Sequence, residues 1–286
     1  MTAIRSSIGR AHYVSIGRRD IERVNINDRN RDSPLSTFSL PNDPGTLEFG
    51  QELAELSGSV FDHPVLKCRF YEIWRNNLLS INNFHVFSIN YFFRVYATTT
   101  RIATAISTID DWESRLELLH NISDELGNGS IDNVHVLVLF RWLESLNERL
   151  GCKAPFRDLL DNAIPLETTT EFILKTRALC AATPQEAAGA LLAQEWHGYT
   201  QISYLFDGFL NYRHLYESSE FHDVSEYFYV HLGRAEKEHR VQSSKIASRI
   251  CKSEHDFIKI RDSFLAYLKC LEEFWDGIVR YFPDAV

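Results

Sequence analysis

Phe84-His85-Val86-Phe87-Ser88-Ile89-Asn90-Tyr91-Phe92-Phe93-Arg94-Val95-Tyr96 carries apolar or aromatic side chains around almost its whole circumference. A helix that is apolar all round cannot lie on a surface, so this one is expected to cross the middle of a helical bundle. Outward from it, apolar residues recur at three-and-four spacing from Leu47 to near the C-terminus, and Gly and Pro become sparse. The spacing predicts helices over 46–58, 63–79, 82–108, 110–126, 132–151, 155–162, 167–181, 184–215, 219–248 and 253–282. Three starts carry capping chemistry: Asp62 before His63-Pro64, Thr183 before Pro184-Gln185-Glu186, and Ser253 before Glu254 and Asp256. In each, a short polar side chain can accept from a backbone N–H of the first turn, where Pro is also tolerated. No alternating strand pattern, G-x-G-x-x-G, P-loop, G-x-S-x-G or internal repeat is present. Sheets that cradle nucleotides and hydrolase sheets are excluded, and the fold class is all-α.

Residues 1–45 differ in kind. They are polar, are broken by Pro34, Pro41, Pro44 and Gly45, and contain the charge-dense run Asp28-Arg29-Asn30-Arg31-Asp32-Ser33. Such a segment buries little, so it reads as a flexible N-terminal arm ahead of a helical domain spanning 46–286. The 286 residues suffice for a sizeable core, and 19 Phe, 12 Tyr and 5 Trp against a single Met make it a core of rigid rings. A net charge of −9 is unsuited to neutralising a phosphate backbone, so nucleic acid is not an expected partner. Cys68, Cys152, Cys180, Cys251 and Cys270 are odd in number and widely spaced, with no C-x-x-C; they fit free thiols of a reducing cytoplasm. No apolar run reaches the length of about 18 residues that a membrane span requires, and the Arg-rich start lacks a signal-peptide core, so no membrane association is expected.

In an aromatic core, an ionisable side chain is costly unless it is paired, hydrogen-bonded or bound to metal, and three segments place such residues on apolar faces. The first is Asn121 to His135, where Glu125 closes one periodic stretch and His135 opens the next. Gly127 and Gly129 make a continuous helix between them unfavourable, and a break or bulge could turn both inward. The alternative is that Asp124 and Glu125 form a solvated helix end and His135 is a hydrogen-bonded core histidine. The second segment is Ala187 to His197. Small residues at 187, 190 and 193 admit a neighbouring helix, and Glu195 lies on the face of Leu191 and Leu192, where a carboxylate needs a cation. His197 is turned roughly 200° from Glu195 and belongs at the surface or behind the site. The third is Phe228 to His239, with His231, Glu236, Glu238 and His239 on one predicted helix. A local widening near Gly233 would bring the face of His231 together with that of Glu236 and His239; the alternative is a solvated charged strip. Carboxylate and imidazole donors without thiolates suit iron or manganese.

From about residue 60 to 282 the chain resembles the haem-oxygenase-like dimetal oxidases and oxygenases, a family related in fold to pyrroloquinoline-quinone synthase and thiaminase II. His63-Pro64-Val65-Leu66, the helix around Tyr91-Phe92-Phe93, Asn121-x-x-Asp124-Glu125, Gly189-Ala190-x-x-Ala193-x-Glu195 and the helix beginning at His231 occur in the family's order. The resemblance implies a seven-helix bundle, here with an extra N-terminal segment. It also implies a metal-ligand set of Glu125, His135, Glu195, His231, Glu236 and His239. The third motif departs from the family's His-x-x-x-Asp-x-x-His: it is one residue longer after His231 and has Glu for Asp, so Glu236 is the implied carboxylate and Glu238 its substitute.

The resemblance further implies two Fe(II) ions, with manganese the substitute at one position, and dioxygen as co-substrate. The reaction would be desaturation, N-oxygenation or C–C cleavage of a small, amino-acid-like substrate in specialised-metabolite biosynthesis. Arg94, a charge in the aromatic helix, is a candidate partner for a substrate carboxylate, or else one half of a buried ion pair. Two other functions remain open. One is a metal-free, thiaminase-II-like hydrolase or transferase, which needs an activated Cys beside a carboxylate. The other is a non-catalytic interaction protein using residues 1–45 as its binding arm. A bundle of this size is compatible with a homodimer.

Overall fold

The computed structural model describes residues 49–283; the arm assigned to 1–45 lies outside them. Among the described residues there are helices and no strands. In chain order these are α1 (Gly50–Gly58), α2 (Arg69–Asn76), α3 (Ile81–Tyr96), α4 (Thr98–Thr108), α5 (Trp112–Glu125), α6 (His135–Arg149) and α7 (Phe156–Asn162). The remainder are α8 (Glu167–Ala182), α9 (Pro184–Phe209), α10 (Ser218–Val224), α11 (Glu226–Leu232), α12 (Arg234–Ile250) and α13 (Glu254–Arg280), with short 3-10 turns in several connections.

Side-chain chemistry sets many of the starts. Thr183 accepts from the Glu186 N–H with Pro184 in the first turn of α9, and Ser253 accepts from the Asp256 N–H at the head of α13, as the sequence predicts. Asp62 does not cap the segment after it. His63 takes that place, its Nδ1 accepting from the Val65 N–H at 3.2 Å, and the capped segment, Pro64–Lys67, is a 3-10 turn.

Three predicted helices are broken: the 63–79 helix divides at Cys68, which is extended at ψ 152° between the 3-10 turn Pro64–Lys67 and α2, and two longer ones divide as well. The 82–108 helix divides at Ala97, just before Thr98-Thr99-Thr100, whose β-branched side chains crowd a helical turn. The 219–248 helix divides into α10, α11 and α12. Ser225, whose Oγ donates back to the Phe221 carbonyl at 2.6 Å, ends the first piece, and Gly233, in extended backbone at ψ −162°, ends the second.

α9 occupies the centre and packs most extensively on α13, then on α12, α8 and α2. The α9–α13 approach is close because Gly189 lies directly against the Ile260 carbonyl, and Ser263 Oγ donates to the Glu186 carbonyl at 2.6 Å. Ala187, Ala190 and Ala193 are buried, as their spacing predicts. Phe84, Phe87 and Tyr91 of α3 are fully buried, with Trp74, Trp142 and Trp275 around them. Phe70 stacks on Trp275 at 4.5 Å and Trp142 on Tyr227 at 5.6 Å. No helix among the described residues is long and apolar enough to cross a membrane.

Gly208 of α9 lies under the indole of Trp74, whose Nε1 donates to the Leu205 carbonyl at 2.8 Å, so a methyl group there would collide with the ring. Gly208→Ala is expected to cost about 1–3 kcal/mol of stability by overpacking, read as a lower urea midpoint. Gly58→Ala, where an added Cβ meets nothing, is expected to be neutral or stabilising by up to about 1 kcal/mol.

Candidate metal centre

The break between α5 and α6 is the first thing the site requires. Gly127 (φ +73°), Asn128 (φ +51°) and Gly129 (φ +86°) are successive left-handed residues, and they reverse the chain through 3-10 turns at Gly127–Gly129 and Ile131–Asn133. Gly127 also packs so tightly on Asn133 that a Cβ would fall 2.6 Å from the Asn133 carbonyl carbon. The reversal sets Glu125, the last residue of α5, beside His135, the first of α6, with His135 Nδ1 3.4 Å from Glu125 Oε2.

His231, in the last turn of α11, completes the group. Its ring centroid is 4.6 Å from that of His135, and Glu125, His135 and His231 each offer a ligand atom within 4.8 Å of the others. His231 Nδ1 donates to the Tyr227 carbonyl at 2.7 Å; a carbonyl only accepts, so Nδ1 carries a proton and Nε2 is the ring nitrogen with the chemistry of a metal ligand.

A second set lies alongside. Glu195, buried in the middle of α9, accepts on Oε1 from Asn121 Nδ2 at 3.2 Å and Gln194 Nε2 at 3.1 Å. Its Oε2 lies 4.0 Å from Nδ1 of His239, which is 2% exposed, and His239 Nε2 lies 3.1 Å from Asp124 Oδ2. Of the six implied ligands, the structure thus gathers Glu125, His135 and His231 into one group and pairs Glu195 with His239 in another. Glu236 falls in the first turn of α12, but its side chain, like those of Arg234 and Ala235, lies outside the described residues. Glu238 is exposed. The widening anticipated near Gly233 is a full break: α11 ends at Leu232 and α12 starts afresh at Arg234, so His231 and His239 project from separate helices.

The electrostatics suit cation binding. Burial alone would raise the Glu125 carboxyl, but in the metal-free protein at acid pH the charge and hydrogen bond of protonated His135, with the charges of protonated His231 and His239, outweigh it and bring the pKa down to about 2. Burial likewise pushes Asp124 up, yet hydrogen bonds from Asn128 and His239 leave it below its ordinary value. Ion–ligand bonds of about 2 Å place ligand atoms roughly 3–4 Å apart, so a spacing within 4.8 Å closes on an ion with small side-chain adjustments. The donor set, carboxylates and imidazoles with no thiol among them, fits iron.

Arg94 of α3 connects to His231 through the rings of Tyr91 and Tyr227. It is 5% exposed, forms no ion pair with a carboxylate among the described residues, and its Nε has no hydrogen-bond partner. Its Nη2 donates to His197 Nε2 at 3.2 Å, and the rings of Phe172, Phe274 and Tyr91 lie 5.2–5.7 Å from the guanidinium. His197 is not at the surface; it is buried, its Nδ1 donates to the Ala193 carbonyl, and burial together with Arg94 holds its pKa at about 3. Tyr91 and Tyr227 share a 2.7 Å hydrogen bond between Arg94 and His231, the Tyr227 ring lying 4.5 Å from that of His231. Asn121, Asp124 and Gln194 are the functional neighbours that the sequence reading does not assign. Asn121-x-x-Asp124-Glu125 carries the signal for two of them, because residues three and four apart share a helix face.

Residues 85–270 match the model of the iron-containing redox enzyme family, and the chain belongs to that family. Among solved structures it is similar to a TenA homologue from Pseudomonas syringae pv. tomato (12% identity, TM-score 0.65, covering 85% of this chain and 98% of that one). A CADD-like protein of unknown function from Nostoc punctiforme is likewise similar (15% identity, TM-score 0.61, 84% and 97%). So is a domain of unknown function with a haem-oxygenase-like fold from Shewanella denitrificans (13% identity, TM-score 0.58, 80% and 90%). The fold is therefore haem-oxygenase-like. No curated protein matches the sequence significantly.

The depressed Glu125 pKa has a signed consequence for the metal-free protein. Its folded value, about 2, lies below the ordinary 4.5, so the stability it contributes is present above about pH 4.5 and is lost as the pH falls toward 2. At about 1.4 kcal/mol per pKa unit this is on the order of 3 kcal/mol. Denaturant midpoints between pH 5 and 2 are expected to fall more steeply for the parent than for Glu125→Gln.

Proposed function

We propose that this chain is a non-haem di-iron, dioxygen-dependent oxidase or oxygenase acting on a small, amino-acid-like molecule, by desaturation, N-oxygenation or C–C cleavage, in cytoplasmic specialised-metabolite biosynthesis. The observation that carries this reading is the group of half-buried Glu125 with buried His135 and His231, and the Glu195–His239 pair beside it, in a chain of the iron-containing redox enzyme family. Glu125, His135, Glu195, His231 and His239, with Glu236, would hold the metal, and bound iron would supply dioxygen activation.

The chain's own residues bind, orient and exclude water. Trp142, Tyr227 and Phe228 wall the His231 side of the site with fully or almost fully buried rings. Arg94, buried among aromatic faces without a carboxylate partner, would receive the substrate carboxylate, and neutral His197 holds one of its nitrogens in place. The Tyr91 and Tyr227 hydroxyls, both raised above their ordinary pKa by burial, stay protonated between the two. Four of the five cysteines, Cys68, Cys180, Cys251 and Cys270, do not favour the metal-free alternative, because burial raises each of them. Burial pushes Cys68 up to about 12 and Cys180 and Cys251 to about 11, the opposite of an activated nucleophile.

Anaerobic reconstitution with ferrous iron, followed by a screen of amino acids for stimulated oxygen uptake, tests the proposal. Uptake that requires iron and is abolished in His231→Ala supports it; turnover unaffected by chelator overturns it. For a responding amino acid, Arg94→Gln is expected to raise KM by about 10- to 100-fold with a smaller change in kcat, the cost of one charge-assisted hydrogen bond.

A further inference from the structure

Asp124 directly precedes the ligand Glu125, yet its carboxylate turns the other way. Oδ2 lies 3.1 Å from His239 Nε2, and Oδ1 accepts from Asn128 Nδ2 at 2.7 Å. A carboxylate accepts, so Nε2 of His239 carries a proton toward Asp124, and Nδ1 is the nitrogen that faces Glu195 Oε2 at 4.0 Å. Asn128 is not held loosely: it is left-handed at φ 51°, ψ 41°, and its Oδ1 accepts from Ser123 Oγ at 3.1 Å. The turn that carries Asn128 is the one that delivers His135 to Glu125, through the contact of Gly127 with the Asn133 backbone. One reversal of the chain therefore acts on both groups of ligands.

We propose that Asp124 is a positioning residue for His239, fixing the tautomer and ring orientation that point Nδ1 at the Glu195 side of the centre, and that Asn128 holds Asp124 in that role. The Gly127–Asn133 turn then assembles both halves of a two-ion site: the Glu125 half by bringing His135 close, and the Glu195 half by orienting His239. The inference rests on the di-iron reading above. A carboxylate behind a ligating histidine raises its basicity and fixes its ring, and loss of such a partner weakens metal binding by about 10- to 100-fold.

The test is metal binding by the full chain, with Mn(II) as a probe that can be titrated in air. The parent is expected to bind two ions. Asp124→Ala is expected to weaken one of the two by about 10- to 100-fold while the other keeps its affinity. Asp124→Asn, whose amide oxygen can accept the same hydrogen, is expected to recover most of that loss, a rescue that a merely structural role would not produce. Asn128→Gly keeps the left-handed backbone, removes the amide and is expected to weaken the same ion by less; it carries the test should Asp124→Ala fail to fold. Two ions bound at parental affinity by Asp124→Ala, or equal weakening of both ions with no rescue by Asn, would overturn the inference while leaving the di-iron reading standing. A parent that binds no Mn(II) and no Fe(II) overturns that reading and this inference together.

Discussion

The Glu125 carboxylate held against the imidazoles of His135 and His231 is the interaction on which the centre depends. A lone carboxylate in a core of Phe, Tyr and Trp would shed its charge rather than be desolvated, and the burial of Glu125 does push in that direction. The histidines reverse the outcome and keep the group anionic. His231 comes from α11, and His135 reaches the carboxylate because three left-handed residues interrupt the helix between α5 and α6, bringing residues ten apart into contact where a continuous helix would turn them to different faces.

The surrounding helices are arranged to hold that contact still. α9 is clamped at two glycines, against the α13 backbone at Gly189 and against the Trp74 ring at Gly208, and Glu195 lies between the clamps. Two histidines use one local device: His231 and His197 each donate Nδ1–H to the carbonyl four residues earlier in its own helix, which settles the tautomer. For His231 this leaves Nε2 as the nitrogen that the di-iron proposal gives to iron; for His197, Nε2 accepts from Arg94. The same bond thus serves a proposed ligand in one place and the orientation of a buried cation in the other.

Much of this was legible in the sequence, for physical reasons that can be named. The all-round apolar stretch of α3 required burial, and Phe84, Phe87 and Tyr91 are buried. Two glycines between Glu125 and His135 forbade a simple helix, and the chain reverses there. The features that were not legible depend on tertiary contacts. Asp124 reads as a solvated helix end until His239 of a distant helix is placed beside it. His197, on the far side of α9 from Glu195, reads as either a surface residue or one behind the site until α3 supplies Arg94, which decides for the buried position. Gly233 admits either a widened helix or a break, and the extended backbone adopted there separates α11 from α12, a choice that periodicity alone does not make.

On the di-iron proposal the centre is a two-ion site in which each ion has its own protein ligands. The most direct measurement is anomalous diffraction at the iron edge from crystals of the full chain loaded anaerobically with Fe(II). Two peaks are predicted, one bounded by Glu125, His135 and His231 and the other by Glu195 and His239. A single peak, a peak away from these residues, or none at all would contradict it.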